Sequence, residues 1–150
     1  MNYECEVIRK GQHASDADAL LYTPMKAGLT MKHSRTYRFE FEGDEAALKA
    51  FARAVLVDEV SQEISEGAEP VVKGALFHLD YSMKPGALDL EKEAIMNYYR
   101  GRSGDAFVLK KLFISQRIYL FGEGDAAAIA ERFVKDIVNP AVHKYELCVA

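Results

Sequence analysis

Two stretches decide how this chain is read: His33-Ser34-Arg35-Thr36-Tyr37-Arg38-Phe39-Glu40-Phe41-Glu42-Gly43-Asp44-Glu45-Ala46-Ala47-Leu48, and Ile114-Ser115-Gln116-Arg117-Ile118-Tyr119-Leu120-Phe121-Gly122-Glu123-Gly124-Asp125-Ala126-Ala127-Ala128-Ile129. Set with Asp44 over Asp125, they lie 81 residues apart and share one pattern. Apolar side chains alternate at period two, then switch at Gly-Asp to helical spacing. The alternation predicts a strand with Tyr37, Phe39 and Phe41 on one face, and a second with Leu112, Ile114, Ile118 and Leu120 on one face. Asp44 and Asp125 are predicted N-caps, because a carboxylate there accepts from free amides of the first turn. Leu48, Phe51, Val55 and Leu56 form the first helical stripe; Ile129, Phe133, Ile137 and Val138 form the second.

Working outward, each half opens and closes alike. Tyr3, Cys5 and Val7 alternate at the start, as do Ala75, Phe77, Leu79 and Tyr81 later. A helix is expected after each: a short one from Asp16 to about Tyr22, stopped by Pro24, and a longer one from the cap Asp89 through Arg100, with Ile95 and Tyr98 or Tyr99 inward. Short closing strands are expected around Glu63-Ile64 and over Lys144–Val149, with Gly67-Ala68-Glu69-Pro70 as the junction. The expected fold is α+β: two strand–helix–strand–strand–helix–strand repeats, 1–66 and 74–150, joined by 67–73. Antiparallel sheets pack against helices, and the copies close one core as an intramolecular pseudo-dimer.

Composition narrows the class. The 150 residues are 49% hydrophobic and 28% charged, with no Trp, which fits an ordinary folded domain. Nineteen basic against 23 acidic residues, net −4, disfavour nucleic acid as a partner. Residues 1–66 hold 8 basic and 12 acidic side chains, whereas 67–150 hold 11 of each, so the halves differ most on their surfaces. No apolar run nears the ~18 residues of a membrane helix, and Met1-Asn2-Tyr3-Glu4 does not read as a signal peptide. Two cysteines make no disulfide framework; Cys5 and Cys148 are expected as small core residues with reduced thiols in a cytoplasmic protein.

No residue set here composes a catalytic or metal site. There is no Gly-x-Ser-x-Gly elbow, and neither cysteine opens a helix. His13, His33, His78 and His143 are scattered, without ligand spacing. His78 and Asp80 share a strand face, an arrangement able to move a proton, but it reads better as a solvated face. Gly122-Glu123-Gly124-Asp125 reads as a structural turn rather than a phosphate loop, since Asp125 would repel an anion at the helix start. Glu91 and Glu93 read as a solvated helix face. The one basic concentration, Arg100-Gly101-Arg102-Ser103-Gly104 with Lys110-Lys111, reads either as a helix end complementing its dipole or as a seat for a phosphate-bearing ligand or an acidic partner surface.

Three blocks in order carry a family resemblance. Met83-Lys84-Pro85-Gly86-Ala87-Leu88-Asp89-Leu90-Glu91-Lys92-Glu93-Ala94 resembles the Lys-Pro-Gly opening of PurS, the small subunit of phosphoribosylformylglycinamidine synthase. Val108-x-x-x-Leu112-x-Ile114-Ser115-Gln116-x-Ile118-x-Leu120 is similar to that family's long strand, and Asn139-Pro140-Ala141-Val142-His143-Lys144-Tyr145-Glu146-Leu147 to its closing Asn-Pro segment. Lys92 stands where the family usually has glycine, the connection at Arg100–Asp105 is longer, and residues 1–66 lack the Lys-Pro-Gly motif. The resemblance implies a tandem PurS-like chain, without catalytic, metal or cofactor residues of its own. Its expected role is in de novo purine biosynthesis, bridging a glutaminase (PurQ-like) and an ATP-consuming synthetase (PurL-like) subunit to support ammonia transfer.

Under that reading the motif and interface residues are Lys84, Pro85, Gly86, Asp89, Arg100, Arg102, Asn139, Pro140 and Tyr145. A homo-oligomer remains open, with Cys5–Arg9 and Lys144–Val149 as candidate edge strands. The alternatives are a regulatory module binding a small metabolite between two ferredoxin-like repeats near Arg100–Gly104, and a small enzyme using His78 and Asp80.

Overall fold

The period-two runs do become strands. In the computed structural model, which describes residues 1–149, the chain runs β1 (Asn2–Arg9), β2 (Ser15–Asp16), a 3-10 turn (Ala17–Leu20), β3 (Thr30–Gly43), α1 (Glu45–Leu56) and β4 (Gln62–Glu66). It continues with β5 (Phe77–Met83), α2 (Leu90–Arg100), β6 (Phe107–Phe121), α3 (Ala126–Ile137) and β7 (His143–Val149). The architecture is α+β, with one antiparallel sheet in the order β4-β1-β3-β6-β5-β7; two-residue β2 adds to β3.

The centre is the pairing of β3 with β6, Thr30 opposite Phe121 through Gly43 opposite Phe107, with one register shift at Glu40/Phe41. Tyr37, Phe39 and Phe41 are buried on one face beside Leu112 and Ile114. Above them α1 lays down Leu48, Phe51 and Ala52. Asp44 caps α1 by accepting from Ala46 N at 3.1 Å, and Asp125 caps α3 by accepting from Ala127 N at 3.1 Å. At the α1 cap Gly43 has φ +107°, and a Cβ there would fall 2.6 Å from Ala106 O, so only glycine fits.

The buried residues form two clusters rather than the one closed core expected. The first joins β1, β3 and α1 to Ile95 and Met96 of α2 and to the first half of β6. The second joins β5, the end of β6 and α3 to Ala17, Leu21 and Leu29 from the region between β1 and β3. Each half therefore supplies apolar residues to the cluster of the other. Length explains the division: strands of 14 and 15 residues run about 45 Å at ~3.3 Å per residue, about twice what two helices side by side cover.

Three expectations are corrected. The Asp16–Tyr22 helix shrinks to a single 3-10 turn, where Asp16 accepts from Asp18 N and the Asp18 carboxylate then holds Met25 N and Lys26 N. Strand β1 is interior, between β4 and β3, so Cys5–Arg9 is no edge; the edges of the sheet path are β4 and β7. Cys5 is buried, but Cys148 is exposed on the β7 edge, and both are free thiols. Periodicity alone cannot distinguish these cases, because an edge strand alternates as an inner one does. No described helix is long and apolar enough to cross a membrane.

Candidate functional site

Alternation that sends Cys5 and Val7 toward α1 sends Glu6 to the opposite face of the sheet. That face is not open to water here: Glu6 is 2% exposed, because the connector between β4 and β5 crosses it. The Glu6 carboxylate accepts from Val71 N in that connector (3.2 Å), Ser34 Oγ (2.6 Å), Tyr119 Oη and Arg117 Nη1 (2.9 Å). Arg117 in turn donates Nε and Nη2 to Asp80 at 2.7 and 2.8 Å, a forked pair that fixes the guanidinium plane. Five elements thus meet at one buried polar node. Among the described residues no buried side-chain nitrogen or oxygen lacks a partner.

Burial and charge act together on this node. Desolvation opposes the Arg117 charge, but hydrogen bonds and attraction from Asp80 outweigh it, and its pKa is raised. Burial and the bond to Glu6 push the Tyr119 hydroxyl up to about 12. His78 lies beside the node with its ring 5.7 Å from that of Tyr119; burial and the nearby Arg117 charge lower its pKa from 6.5.

Next to the node is an open cleft of about 800 Å³, where β5 leaves β6 beyond Tyr81 opposite Gln116. Its walls include Arg38, His78, Asp80, Arg117, Lys144 and Glu146, a mixed-sign surface. Such a lining suits a zwitterion or a polar peptide segment better than a bare anion. The expected solvated face at His78 and Asp80 is corrected: Asp80 gives both oxygens to Arg117, and His78 is partly buried. Glu91 likewise leaves the solvated face assigned to it, accepting from Arg35 Nη1 at 3.0 Å and Tyr37 Oη at 2.7 Å. Burial first, and this bond second, raise the Tyr37 pKa.

The motif residues fall into two groups. Lys84, Pro85, Gly86, Asp89 and Tyr145 line the cleft. Asn139 and Pro140 lie directly behind: Lys84 Nζ donates to Pro140 O, and Lys84 N donates to Val142 O at 2.8 Å. Asn139 Oδ1 accepts from Ala141 N, and the Asn139 backbone N–H donates to His143 Nδ1, which shapes the approach to β7. Gly86, with φ +89°, completes the Lys84 turn, where Ala87 N donates to Lys84 O at 2.9 Å. Asp89 caps α2 through Lys92 N.

Arg100 and Arg102 stand apart from the cleft. Arg100 donates to Asn97, one turn back, beside the Gly101 cap. Arg102 forks onto Asp105 and lies 5.2 Å from the Phe51 ring centre. Their contacts are those of a helix end complementing its dipole and covering an aromatic core. Glu6 escaped sequence reading because a lone charge between apolar neighbours, Cys5 and Val7, is also the pattern of an ordinary solvated strand face; Arg117, between Gln116 and Ile118, carries no distinguishing local signal either.

Compared with known protein families, with curated proteins and with solved structures, the chain gives no match in any of the three.

Proposed function

We propose that the chain is two copies of one PurS-like unit folded as a pseudo-dimer, working as a non-catalytic bridge between glutaminase and synthetase subunits in purine biosynthesis. The β3–β6 register carries this reading. His33 opposes Ile118 and Tyr37 opposes Ile114, and a shift of 81 turns His33 into Ile114 and Tyr37 into Ile118. Each pair is therefore the image of the other about Arg35 opposite Gln116. Helices α1 and α3, each 12 residues, start 81 apart, and Ile64 opposite Val7 corresponds to Tyr145 opposite Tyr81. Tyr3 opposes Phe39 and Phe77 opposes Leu120, so the first connection is seven residues longer in the second half, where α2 replaces a 3-10 turn.

The meeting of Lys84-Pro85-Gly86 with Asn139-Pro140 adds support, since two blocks of the PurS resemblance then build one rigid corner. A bridge needs such stiffness so that two surfaces keep a fixed separation while ammonia passes. The test is reconstitution with glutaminase and synthetase subunits from the same cell. The expected result is a co-purifying complex whose glutamine-dependent rate falls on omitting this chain, while the ammonia-dependent rate is retained. An unchanged glutamine-dependent rate on omission overturns the proposal.

A second reading, a regulatory module binding a small polar metabolite, draws on the mixed-sign cleft rather than on Arg100–Gly104. Thermal stabilisation by an amino acid or nucleotide, lost in Arg38→Ala, would favour it.

A further inference from the structure

Among the described residues, strand β7 has a bonded neighbour on one side only, β5, and no other strand pairs with its opposite backbone edge. It is also exposed on both faces. Tyr145, Leu147 and Val149 share the face on which the helices lie, and they remain 51%, 37% and 51% exposed. Lys144 and Glu146 point the other way and are exposed too. The opposite edge, β4, differs: Gln62, Glu63 and Glu66 give it exposed or half-exposed polar side chains, and like charges protect an edge from pairing.

We propose that β7 is the seam for a second copy of this chain, the two β7 strands pairing antiparallel about Tyr145. Charge complementarity selects this occupant and this register. With Tyr145 opposite Tyr145, Lys144 faces Glu146 of the second copy, and Glu146 faces its Lys144. His143 then lies opposite Leu147, on the apolar side. Centring on Glu146 instead would set carboxylate against carboxylate, and centring on Lys144 would set ammonium against ammonium. An even register also keeps the helices of both copies on one side of a continuous sheet, so the exposed parts of Tyr145 and Leu147 cover each other. The inference uses only the β7 edge and does not rest on a role in purine synthesis.

Sedimentation velocity on the purified chain across micromolar concentrations tests it, because partner subunits are absent. The native chain is expected to dimerise. Lys144→Glu and Glu146→Lys each set two like charges face to face and are expected to raise the dissociation constant about tenfold. The double exchange Lys144→Glu/Glu146→Lys is expected to restore the native value. All four side chains in these pairs are exposed, so unchanged monomer circular dichroism is expected in every variant. A native chain monomeric throughout overturns the proposal. So does a dimer indifferent to the single exchanges, or one that the double exchange fails to restore. Hydrogen exchange in which the β7 amides gain protection only when a glutaminase subunit is added would overturn self-pairing in favour of a foreign strand.

Discussion

Arg117 Nη1 lies 2.9 Å from Glu6 Oε1, although 111 residues separate the two in the chain. That one ion pair connects β1, the second strand from one edge of the sheet, to β6, the innermost strand of the other half, across β3. Asp80 holds the same guanidinium from the far side, so the charge is shared between two carboxylates. A buried charge with several partners contributes little in excess of a well-packed apolar core, but it is costly to break by halves.

Replacing Glu6 with Ala should therefore be severe. It removes the acceptor for Ser34, Val71 and Tyr119 as well as one partner of Arg117. The expected loss is about 3–5 kcal/mol in urea denaturation. Glu6→Leu combined with Arg117→Met should cost less than the sum of the single changes, because the Glu6–Arg117 contact is then lost only once, although Asp80 still loses its partner.

His78 should make stability depend on pH. Its folded pKa lies below the ordinary 6.5, so above that value both folded and unfolded rings are neutral and nothing is lost. Below 6.5 the unfolded chain takes up a proton that the folded state resists, and stability falls with falling pH. In His78→Asn the fall between pH 7 and pH 5.5 should be shallower than in the native chain. Urea midpoints at the two pH values measure this.

The two thiols should separate cleanly. Burial pushes the Cys5 thiol up to about 12, with the Glu66 charge adding to it, whereas Cys148 is exposed. At pH 8 a disulfide reagent is expected to modify Cys148 promptly in the native protein, and Cys5 only after unfolding. Mass spectrometry of the labelled peptides distinguishes the sites.

Gly43 and Gly86 should rank differently on substitution by Ala. Both have positive φ, +107° and +89°, but only at Gly43 would a Cβ meet backbone, 2.6 Å from Ala106 O and 2.8 Å from Phe107 Cα. Gly86→Ala should cost about 1–2 kcal/mol for conformation alone. Gly43→Ala should cost at least about 3 kcal/mol, since the β3–β6 ladder must also shift. Thermal melts of the two variants check the order.

Removing a cap should matter about as much in either half. Asp44→Ala and Asp125→Ala each free first-turn amides of a 12-residue helix and should each cost about 1 kcal/mol by denaturant titration.

What the sequence determined alone was everything set by neighbours a few residues apart. The alternation at Tyr37-x-Phe39-x-Phe41, the Gly-Asp switch at 43–44 and 124–125, and the stripes from Leu48 and Ile129 mark β3, β6, α1 and α3, because rotation per residue and capping are local properties. Tertiary structure alone decided which strand meets which. It placed β1 inside the sheet and β7 at its edge, divided the core in two, and drew Glu6, Asp80 and Arg117 into one buried node. Those outcomes rest on contacts between residues far apart in the chain, and a polar side chain between apolar neighbours has the same local pattern whether water or an arginine lies above it.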